Sequence, residues 1–486
     1  MSCTTILVGK KASWNGSTMI ARNDDSASGH YMPKKFVVVH PDEQPRTYKS
    51  VISHVEIELP DNPMRYTAMP NAVEGKGTWA AAGANSAGVA MTATETITSN
   101  ERVLGADPLV EFEKKDGVEK AGGIGEEDIV VLVLPYIHSA REGVERLGAL
   151  LEQYGTYESN GIAFADEEEI WWFESVGGHH YLAVRVPDDA YVVMPNQFGI
   201  DHFDFADAYG EKKNYMCSAD MKTFVEENNL DLTLQGDFSP RAAFGSHSDS
   251  DHVYNTPRAW YMLKTLNPHT YQWEGENADY TPVSDDLPWS MVPERKITVE
   301  DVKYVLSSYY QGTPYNPYGK DEKAGIYRTI GINRTDFLGM LEVKKDRGQV
   351  LEWVAFASNA FNVMVPFYTT IDKTPDYLSS TTKTVSTDSF YWVSRLIAAL
   401  SDAAYGKNIM HIERYQESVG AKAHALVKKY DAMLEQKNDE EEIKRLCEKA
   451  NEEMADMVRL ECEKVLEKVL SEVSNSMKNG YVRSDN

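Results

Sequence analysis

The chain opens with MSCTTILVG at residues 1–9 and continues, after a short polar segment, with TMIARNDD at residues 18–25. Both runs contain apolar and β-branched residues, and the Asn-Gly pair between them is a strong turn signal. We therefore predict a β-hairpin with a thiol, that of Cys3, near its open end. A loop over residues 10–17 places Cys3 opposite Asp24, whereas a tight turn at the Asn-Gly pair shifts the register and separates them. The sequence leaves both registers open.

Cys3 is a candidate nucleophile. A thiol has a pKa of about 8.5 and reacts as the thiolate, so it needs help at neutral pH. The nearby guanidinium of Arg22 would favour the thiolate, and a free α-amine on Cys3 could accept the proton. That amine requires the removal of Met1 and Ser2. The alternative is that Cys3 is an inert core residue, which is the common state of a free cysteine.

A series of motifs in the chain resembles the cysteine dipeptidases of the N-terminal-nucleophile (Ntn) hydrolase superfamily, and specifically the dipeptidase A group. The motifs are MSCTTILVG (residues 1–9), ARNDDS (21–26), GANSAGVAMTATET (83–96), SNG (159–161), WWFE (171–174), PNQF (195–198), YNTPRAW (254–260) and YQGTPY (310–315). Their order and spread carry the resemblance more than any single motif does. Choloylglycine hydrolases, penicillin V acylases and secernins are related families.

The resemblance implies an α+β fold, a four-layer αββα Ntn-hydrolase sandwich of two antiparallel sheets. We assign this catalytic domain to residues 1–386. Residues 161–194 read as four short strands in series, which suits one layer of the sandwich. Residues 117–127, which are rich in glycine and charge, read as a mobile loop.

The sequence pattern changes after residue 386, and residues 387–486 are predicted to form a helical C-terminal extension. Residues 389–405, 412–434 and 440–477 read as helices. The last of these carries an apolar stripe at helical spacing. The stripe is a packing face for this chain or another subunit, or a site for a partner protein.

The resemblance also implies the roles of particular residues. Cys3 corresponds to the mature N-terminal nucleophile, and Arg22 and Asp25 correspond to the arginine and aspartate that flank it. Asp25 is expected to orient the α-amine. Asn196 corresponds to the asparagine at a strand end that contacts the developing oxyanion, and Arg258 corresponds to a second, downstream arginine near the site.

Two of these assignments remain open. Arg241 competes with Arg258 for the role of the downstream arginine. In the related bile-salt and penicillin amidases an asparagine donates to the oxyanion at a position where this chain has Thr94 or Glu95. An ionised glutamate accepts hydrogen bonds and cannot donate one, so Glu95 and Thr94 are instead candidates to bind the free amino group of a substrate.

The function implied is a cysteine peptidase that hydrolyses dipeptides with a free N-terminus. Cys3 would act through a thioester intermediate after Met1 and Ser2 have been removed, by self-cleavage in the preferred hypothesis. One alternative is an acylase of the bile-salt or penicillin amidase type. Another is a non-catalytic protein that keeps the Ntn fold as a scaffold, although scaffold duty does not require Cys3, Arg22, Asp25 and Asn196 together.

Composition limits the other possibilities. The chain has 49 basic and 75 acidic residues and a formal net charge of -26, which disfavours nucleic acid and anionic membranes as partners. Its four cysteines indicate neither a disulfide framework nor a zinc site, and we expect no metal and no cofactor. The sequence shows no signal-peptide pattern and no long apolar run, so a cytoplasmic protein is expected. We expect small peptides as substrates and a homo-oligomeric assembly.

Overall fold

The computed structural model describes residues 3–246, 248–345 and 349–479, and the side chain of Thr94 lies outside this description. Its strands are β1 (Thr4–Val8), β2 (Thr18–Asp25), β3 (Val37–Val39), β4 (Thr47–Lys49), β5 (Glu56–Glu58), β6 (Tyr66–Ala68), β7 (Ala82–Ala84), β8 (Ala90–Thr96), β9 (Glu113–Lys115), β10 (Val118–Lys120), β11 (Asn160–Ala165), β12 (Ile170–Val176), β13 (His180–Arg185), β14 (Tyr191–Met194), β15 (Tyr215–Cys217), β16 (Ser290–Met291), β17 (Thr335–Val343), β18 (Val350–Phe356) and β19 (Val365–Tyr368).

Its helices are α1 (Glu101–Ala106), α2 (Ile129–Val133), α3 (Ala140–Tyr154), α4 (Phe205–Tyr209), α5 (Met221–Glu227), α6 (Pro240–Phe244), α7 (Asp251–Tyr254), α8 (Thr256–Leu266), α9 (Val299–Leu306), α10 (Asp376–Ser379), α11 (Phe390–Ala403), α12 (Tyr405–Leu434) and α13 (Glu440–Asn475). None of the helices in the described part of the chain has the length and apolar character needed to span a membrane.

The hairpin of β1 and β2 lies in the middle of a seven-stranded sheet, in the order β16-β14-β1-β2-β17-β18-β19. Thr4 pairs with Asn23 and Val8 with Met19, and the continuation of this antiparallel register places Cys3 opposite Asp24. The register that follows from the long loop is therefore confirmed. Every residue of both strands is buried, as expected for central strands that are covered on both faces.

A second sheet of six strands faces the first, in the order β15-β13-β12-β11-β8-β7. The two sheets meet where β2 packs against β8 and β11. Helix α3 covers the outer face of the second sheet with Val144, Leu147 and Leu151, which recur at helical spacing and are buried. Helices α8, α9 and α11 pack against strands of the first sheet. The α+β fold with four αββα layers is thus confirmed.

The chain crosses from the second sheet to the first between β13 and β14. Residues 161–194 were predicted to form four strands of one layer, and for β14 that prediction is wrong. β11, β12 and β13 pair in series, but β14 pairs with β1 of the other sheet. The backbone carbonyls of Asp188 and Ala190 accept from Lys11 and Gly9, and Pro187, which has no N–H, cannot continue a strand ladder. These contacts direct β14 to the strand that carries the thiol.

The three C-terminal helices are present as predicted, and α11 and α13 match the predicted bounds to within two residues, whereas α12 begins at Tyr405 instead of residue 412. Helix α13 packs against β19, α11 and α12, and its apolar stripe joins the core of the first sheet. Asn451 of α13 bonds both backbone groups of Tyr368 on β19, accepting from its N–H at 2.8 Å and donating to its carbonyl at 2.9 Å. The helix thereby covers the last strand of the sheet. The domain boundary after residue 386 stays a prediction.

Candidate active site

Cys3 and Arg22 meet on the face of the first sheet that points toward the second. Residues paired across antiparallel strands share a face, so the register of β1 and β2 brings together the side chains of Cys3, Thr5, Arg22 and Asp24. Thr5 Oγ1 reaches the second sheet and donates to Glu95 Oε1 at 2.8 Å. Arg22 Nη2 lies 3.1 Å from Cys3 Sγ. The thiol and the guanidinium, predicted to be neighbours, are therefore in contact.

Arg22 lies at the centre of a buried ion cluster. Its Nη2 is also 3.0 Å from Asp24 Oδ1 and 2.5 Å from Glu126 Oε1. Lys34 Nζ lies 2.8 Å from Asp24 Oδ2, and all four side chains are at most 3% exposed. Although burial opposes the shift, Lys34 and Arg22 lower the pKa of Asp24. Removal of one partner would leave a buried charge unpaired, which typically costs about 3–5 kcal/mol.

Glu126 was not identified from the sequence, because residues 117–127 read as a mobile loop. That interpretation is wrong for the second half of the segment, where residues 122–127 are buried. A Cβ atom on Gly125 would collide with the ring of Tyr157, so this glycine permits close packing rather than motion. The signal that could have identified the residue is the acidic run that immediately precedes the apolar helix α2.

The Cys3 thiol is fully buried. Burial raises its pKa to about 12, and Arg22 offsets only part of that effect. The carboxyl groups of Glu126, Glu95 and Asp24 raise it further. The thiol is therefore protonated at neutral pH in this environment, and its reaction requires a base that takes the proton.

Three possible metal ligands surround the same point. Cys3 Sγ and one carboxylate oxygen each from Asp24 and Glu126 all lie within 4.8 Å of one another. Arg22 Nη2 is within hydrogen-bond distance of all three atoms. The guanidinium occupies the space that a metal ion would need, so this set of donors fits an arginine better than a metal.

Arg258, on α8, approaches the beginning of β1. Its Nη1 donates to the backbone carbonyl of Cys3 and, at 2.5 Å, to Thr4 Oγ1. Its Nη2 donates to Asn196 Oδ1 and Asn255 Oδ1, both at 2.7 Å. Arg258 is fully buried. The structure thus brings Arg258 and Asn196 together next to the backbone of Cys3, where the resemblance implies that they should lie.

Asn196 and Arg241 differ in the backbone groups that their side chains contact. Asn196 Nδ2 donates to the carbonyl of Thr96 at 2.9 Å, which ties the asparagine to the end of β8. Arg241, the competitor of Arg258, donates to the carbonyl of Leu287 at 2.6 Å. Contact with Cys3 therefore favours Arg258 over Arg241 as the arginine of the site.

Glu95, on β8, accepts the hydrogen bond from Thr5 at the edge of the site. Burial raises its pKa to about 8, against the opposing effects of Arg258, Thr5 and Arg22. A glutamic acid that holds its proton at neutral pH can donate a hydrogen bond, so the sequence-based objection to Glu95 as a donor does not apply. Its Oε2 is buried and has no hydrogen-bond partner among the described residues. The side chain of Thr94, the other candidate here, lies outside the described part.

Asp25 points to the opposite face of β2 from Arg22, because side chains alternate along a strand. Its Oδ1 accepts from Thr335 Oγ1 at 2.5 Å, and its Oδ2 is ion-paired with Arg328. Arg328 also lines a cavity of about 550 Å³. The sequence analysis did not identify Arg328, which lies 303 residues from Asp25 along the chain. The role of Asp25 toward the α-amine stays a prediction.

Comparison with known proteins places this geometry in context. The model of the protein family described as Peptidase family C69 matches residues 2–418 of this chain. A dipeptidase of Bifidobacterium longum (strain NCC 2705) is 52% identical over 532 residues, with 100% of both chains covered. A probable dipeptidase A of Streptococcus pyogenes serotype M3 (strain SSI-1) is 52% identical over 495 residues, again with 100% of both covered. Dipeptidase A of Lactobacillus helveticus is 41% identical over 465 residues, which cover 94% of this chain and 93% of the relative.

Proposed function

Because this chain belongs to peptidase family C69, we propose that it is a dipeptidase in which Cys3 is the nucleophile. The observation that carries the proposal is the contact between Cys3 Sγ and Arg22 Nη2, which are 3.1 Å apart in a buried cluster. The substrates are dipeptides with a free N-terminus. Removal of Met1 and Ser2 makes Cys3 the first residue and supplies its α-amine.

The reaction has an acylation step and a hydrolysis step. The α-amine of Cys3 takes the thiol proton, and the thiolate attacks the carbonyl carbon of the peptide bond. The tetrahedral intermediate breaks its C–N bond while the α-ammonium passes its proton to the departing amino group. Water, deprotonated by the α-amine, then attacks the thioester. This step releases the N-terminal amino acid of the dipeptide and regenerates the thiol.

Arg22 stabilises the thiolate form of Cys3 in this scheme. A thiolate in a site closed to water loses its hydration, which is why burial raises the pKa of Cys3. A guanidinium at hydrogen-bond distance replaces part of that hydration with a fixed positive charge. Asp24 and Glu126 hold Arg22 in place from two sides.

Two side chains are suited to stabilise the oxyanion. The side-chain amide of Asn196 is a hydrogen-bond donor, and Arg258 joins it to the backbone of Cys3. Glu95 in its protonated form is a further possible donor, which would substitute chemically for the asparagine of the related amidases. Loss of one oxyanion donor typically lowers kcat by about 10²- to 10³-fold.

Self-cleavage is our proposal for the removal of Met1 and Ser2. The Cys3 thiol attacks the carbonyl carbon of Ser2, and the acyl group moves from the nitrogen of Cys3 to its sulfur. This step frees the α-amine, and water then hydrolyses the thioester to release the leader. The same sulfur atom would thus perform maturation and turnover.

An acylase of bulky apolar amides is the weaker candidate. The groups nearest Cys3 Sγ are Arg22, Asp24 and Glu126, all charged and buried. A charged wall favours a substrate with a polar amine over one with an apolar acyl group, because an apolar group there would leave the charges without solvation.

Intact mass and hydrolysis of a dipeptide panel test the proposal in wild type and Cys3→Ala. We expect wild type to lack Met1 and Ser2 and to release free amino acids, and we expect Cys3→Ala to retain Ser2 and to be inactive. A bile-salt amide and penicillin V serve as comparison substrates. Hydrolysis of dipeptides by Cys3→Ala at the wild-type rate would refute the assignment, and preferential cleavage of the bulky amides would favour the acylase.

A further inference from the structure

Glu126 has one carboxylate oxygen that makes no hydrogen bond with any described residue. Its Oε1 lies 2.5 Å from Arg22 Nη2, and its backbone N–H donates to Glu158 Oε1 at 2.8 Å. Its Oε2 is buried and has no hydrogen-bond partner within the described part of the chain. The side chain is only 2% exposed. A buried acceptor without a donor is unfavourable, so a donor supplied by a ligand would be bound strongly here.

The position of the Glu126 carboxylate relative to the nucleophile limits which donor can reach it. A carboxylate oxygen of Glu126 lies within 4.8 Å of Cys3 Sγ. In a dipeptide the α-nitrogen is about 2.5 Å from the carbonyl carbon that is attacked. That carbon sits about 3–3.5 Å from the sulfur in a reactive complex. The α-nitrogen must therefore lie within about 6 Å of Sγ, in the same region around the sulfur as the Glu126 carboxylate.

We propose that Glu126 binds the α-ammonium of the substrate through Oε2 and thereby restricts cleavage to the peptide bond next to a free N-terminus. This inference rests on the proposed function and adds a specificity residue to it. An acylated amine still has an N–H group but carries no positive charge, so it would lose the ion pair with Glu126. The same peptide bond in the interior of a longer chain has an amide at this point and would be rejected for the same reason.

Other acidic side chains near Cys3 are less suited to this role. Asp24 has both oxygens engaged, Oδ1 by Arg22 and Oδ2 by Lys34. Glu95 accepts from Thr5 and lies where burial favours its neutral form. Glu126 combines an ion pair with Arg22, an unused oxygen within the described part, and a carboxylate close to Sγ.

The charges of the cluster support an incoming cation. Arg22 and Lys34 balance Asp24 and Glu126 while Cys3 is a neutral thiol. In the proposed reaction the thiol proton moves to the α-amine of Cys3, so the net charge of the site is unchanged but the sulfur becomes negative beside two carboxylates. A substrate ammonium at Glu126 would lower the repulsion between that carboxylate and the sulfur, so binding of the correct substrate would itself favour the reactive form of Cys3.

The test separates binding from turnover. In Cys3→Ala encoded without the Ser2 codon, methionine removal alone leaves the substituted alanine at the N-terminus, and intact mass verifies this. Calorimetry then measures the dissociation constants of alanyl-alanine and of N-propionyl-alanine, which is the same molecule without the amino group. Both dissociation constants are measured in this Cys3→Ala protein and in two double variants, which also carry Glu126→Gln or Glu352→Gln. Glu352 is a matched control, since it is fully buried, accepts from Thr67 at 2.9 Å and also has one unpartnered oxygen among the described residues.

We expect the Cys3→Ala protein to prefer alanyl-alanine, and Glu126→Gln to reduce that preference by about 30-fold or more. Glu352→Gln should leave the preference unchanged, and Glu126→Asp should restore part of it. An absent preference, or a preference that Glu126→Gln does not alter, overturns the inference. Equal weakening of both ligands also overturns it, because Glu126 would then act on Arg22 or on the protein's own α-amine.

The same measurements distinguish failure of the inference from failure of the proposed function. A Glu126-dependent preference in a protein whose wild type hydrolyses no dipeptide would refute the catalytic proposal and keep the binding site. Rapid dipeptide hydrolysis by wild type, with no role for Glu126 in binding, would keep the catalytic proposal and refute the binding site at Glu126.

Discussion

Arg22 Nη2 lies 3.1 Å from Cys3 Sγ, while Nη1 of the same side chain donates to the carbonyl of Ala81 at 3.3 Å. One planar group thus joins the nucleophile to the segment before β7 and to two carboxylates. A lysine carries the same charge but has a single nitrogen and cannot reach all of these acceptors.

We therefore predict that Arg22→Lys lowers kcat/KM for dipeptides by about 100-fold or more, although the charge is kept. Arg295→Lys is the control, because Arg295 forms an exposed ion pair with Asp301 at 2.6 Å and should tolerate the change. The measurement is kcat/KM for one dipeptide in all three proteins. Activity of Arg22→Lys within a few-fold of wild type would contradict the role of the guanidinium.

The protonation of Glu95 gives a prediction about pH. Burial raises the pKa of Glu95 to about 8, so the carboxyl group donates a hydrogen bond below that pH and loses the ability above it. If Glu95 contributes to the oxyanion site, the activity of wild type should fall as the pH rises above about 8. Glu95→Gln, which keeps a donor at every pH, should remain active and lose this alkaline decline.

The control for that prediction is Glu95→Leu, which removes the donor and keeps a similar volume. Relative to wild type, we expect Glu95→Leu to lose about 10²- to 10³-fold in kcat below about pH 8 and less above it, where wild-type Glu95 no longer donates. The profiles are recorded with saturating substrate in overlapping buffers. An alkaline decline of the same position and size in Glu95→Gln would show that another group causes it.

Glu352 gives a prediction about stability. Burial raises its pKa to about 7 from an ordinary value near 4.5. The folded state therefore keeps a proton that the unfolded chain releases, so the stabilisation is complete below about pH 4.5 and is lost as the pH rises to 7. A shift of this size corresponds to about 3 kcal/mol at most.

Glu352→Gln removes this titration, and the free energy of unfolding of the variant relative to wild type should increase between pH 5 and pH 8. Urea unfolding at both pH values measures the difference. Glu467→Gln is the control, because Glu467 is exposed and should show the same difference at both pH values. A constant difference for Glu352→Gln would mean that Glu352 ionises normally in the folded protein.

Local sequence patterns were sufficient to predict the hairpin that carries the thiol. The apolar runs, the turn signal and the alternation of side chains are properties of neighbouring residues, and they predict the hairpin. They left two registers open, and the structure has the long-loop register, which places Cys3 beside Arg22 and Asp24. The motifs that resemble the dipeptidase A group supplied the sandwich and the positions of Asn196 and Arg258.

Contacts between distant segments could not be predicted in this way. Glu126 is 104 residues from Arg22, and Arg328 is 303 residues from Asp25. The glycines around Glu126 have the composition of a loop, and only the fold shows that they allow close packing. The charge of Glu95 depends on its burial, which a sequence does not report. The turn of β14 into the other sheet likewise depends on which strand lies free to receive it.

Asn451 is the clearest test of how α13 contributes to the fold. Its side chain bonds both the N–H and the carbonyl of Tyr368 on β19, the last strand of the first sheet. Leucine has a similar volume but no polar atoms, so Asn451→Leu would remove both of these buried hydrogen bonds. The loss of each costs about 1–3 kcal/mol, and we predict a loss of about 2–5 kcal/mol in the free energy of unfolding. Lys468→Ala, an exposed change on the same helix, should alter it by less than about 0.5 kcal/mol. Urea unfolding of both variants measures the contrast, and equal small effects would mean that α13 adds little to the stability of the sheet.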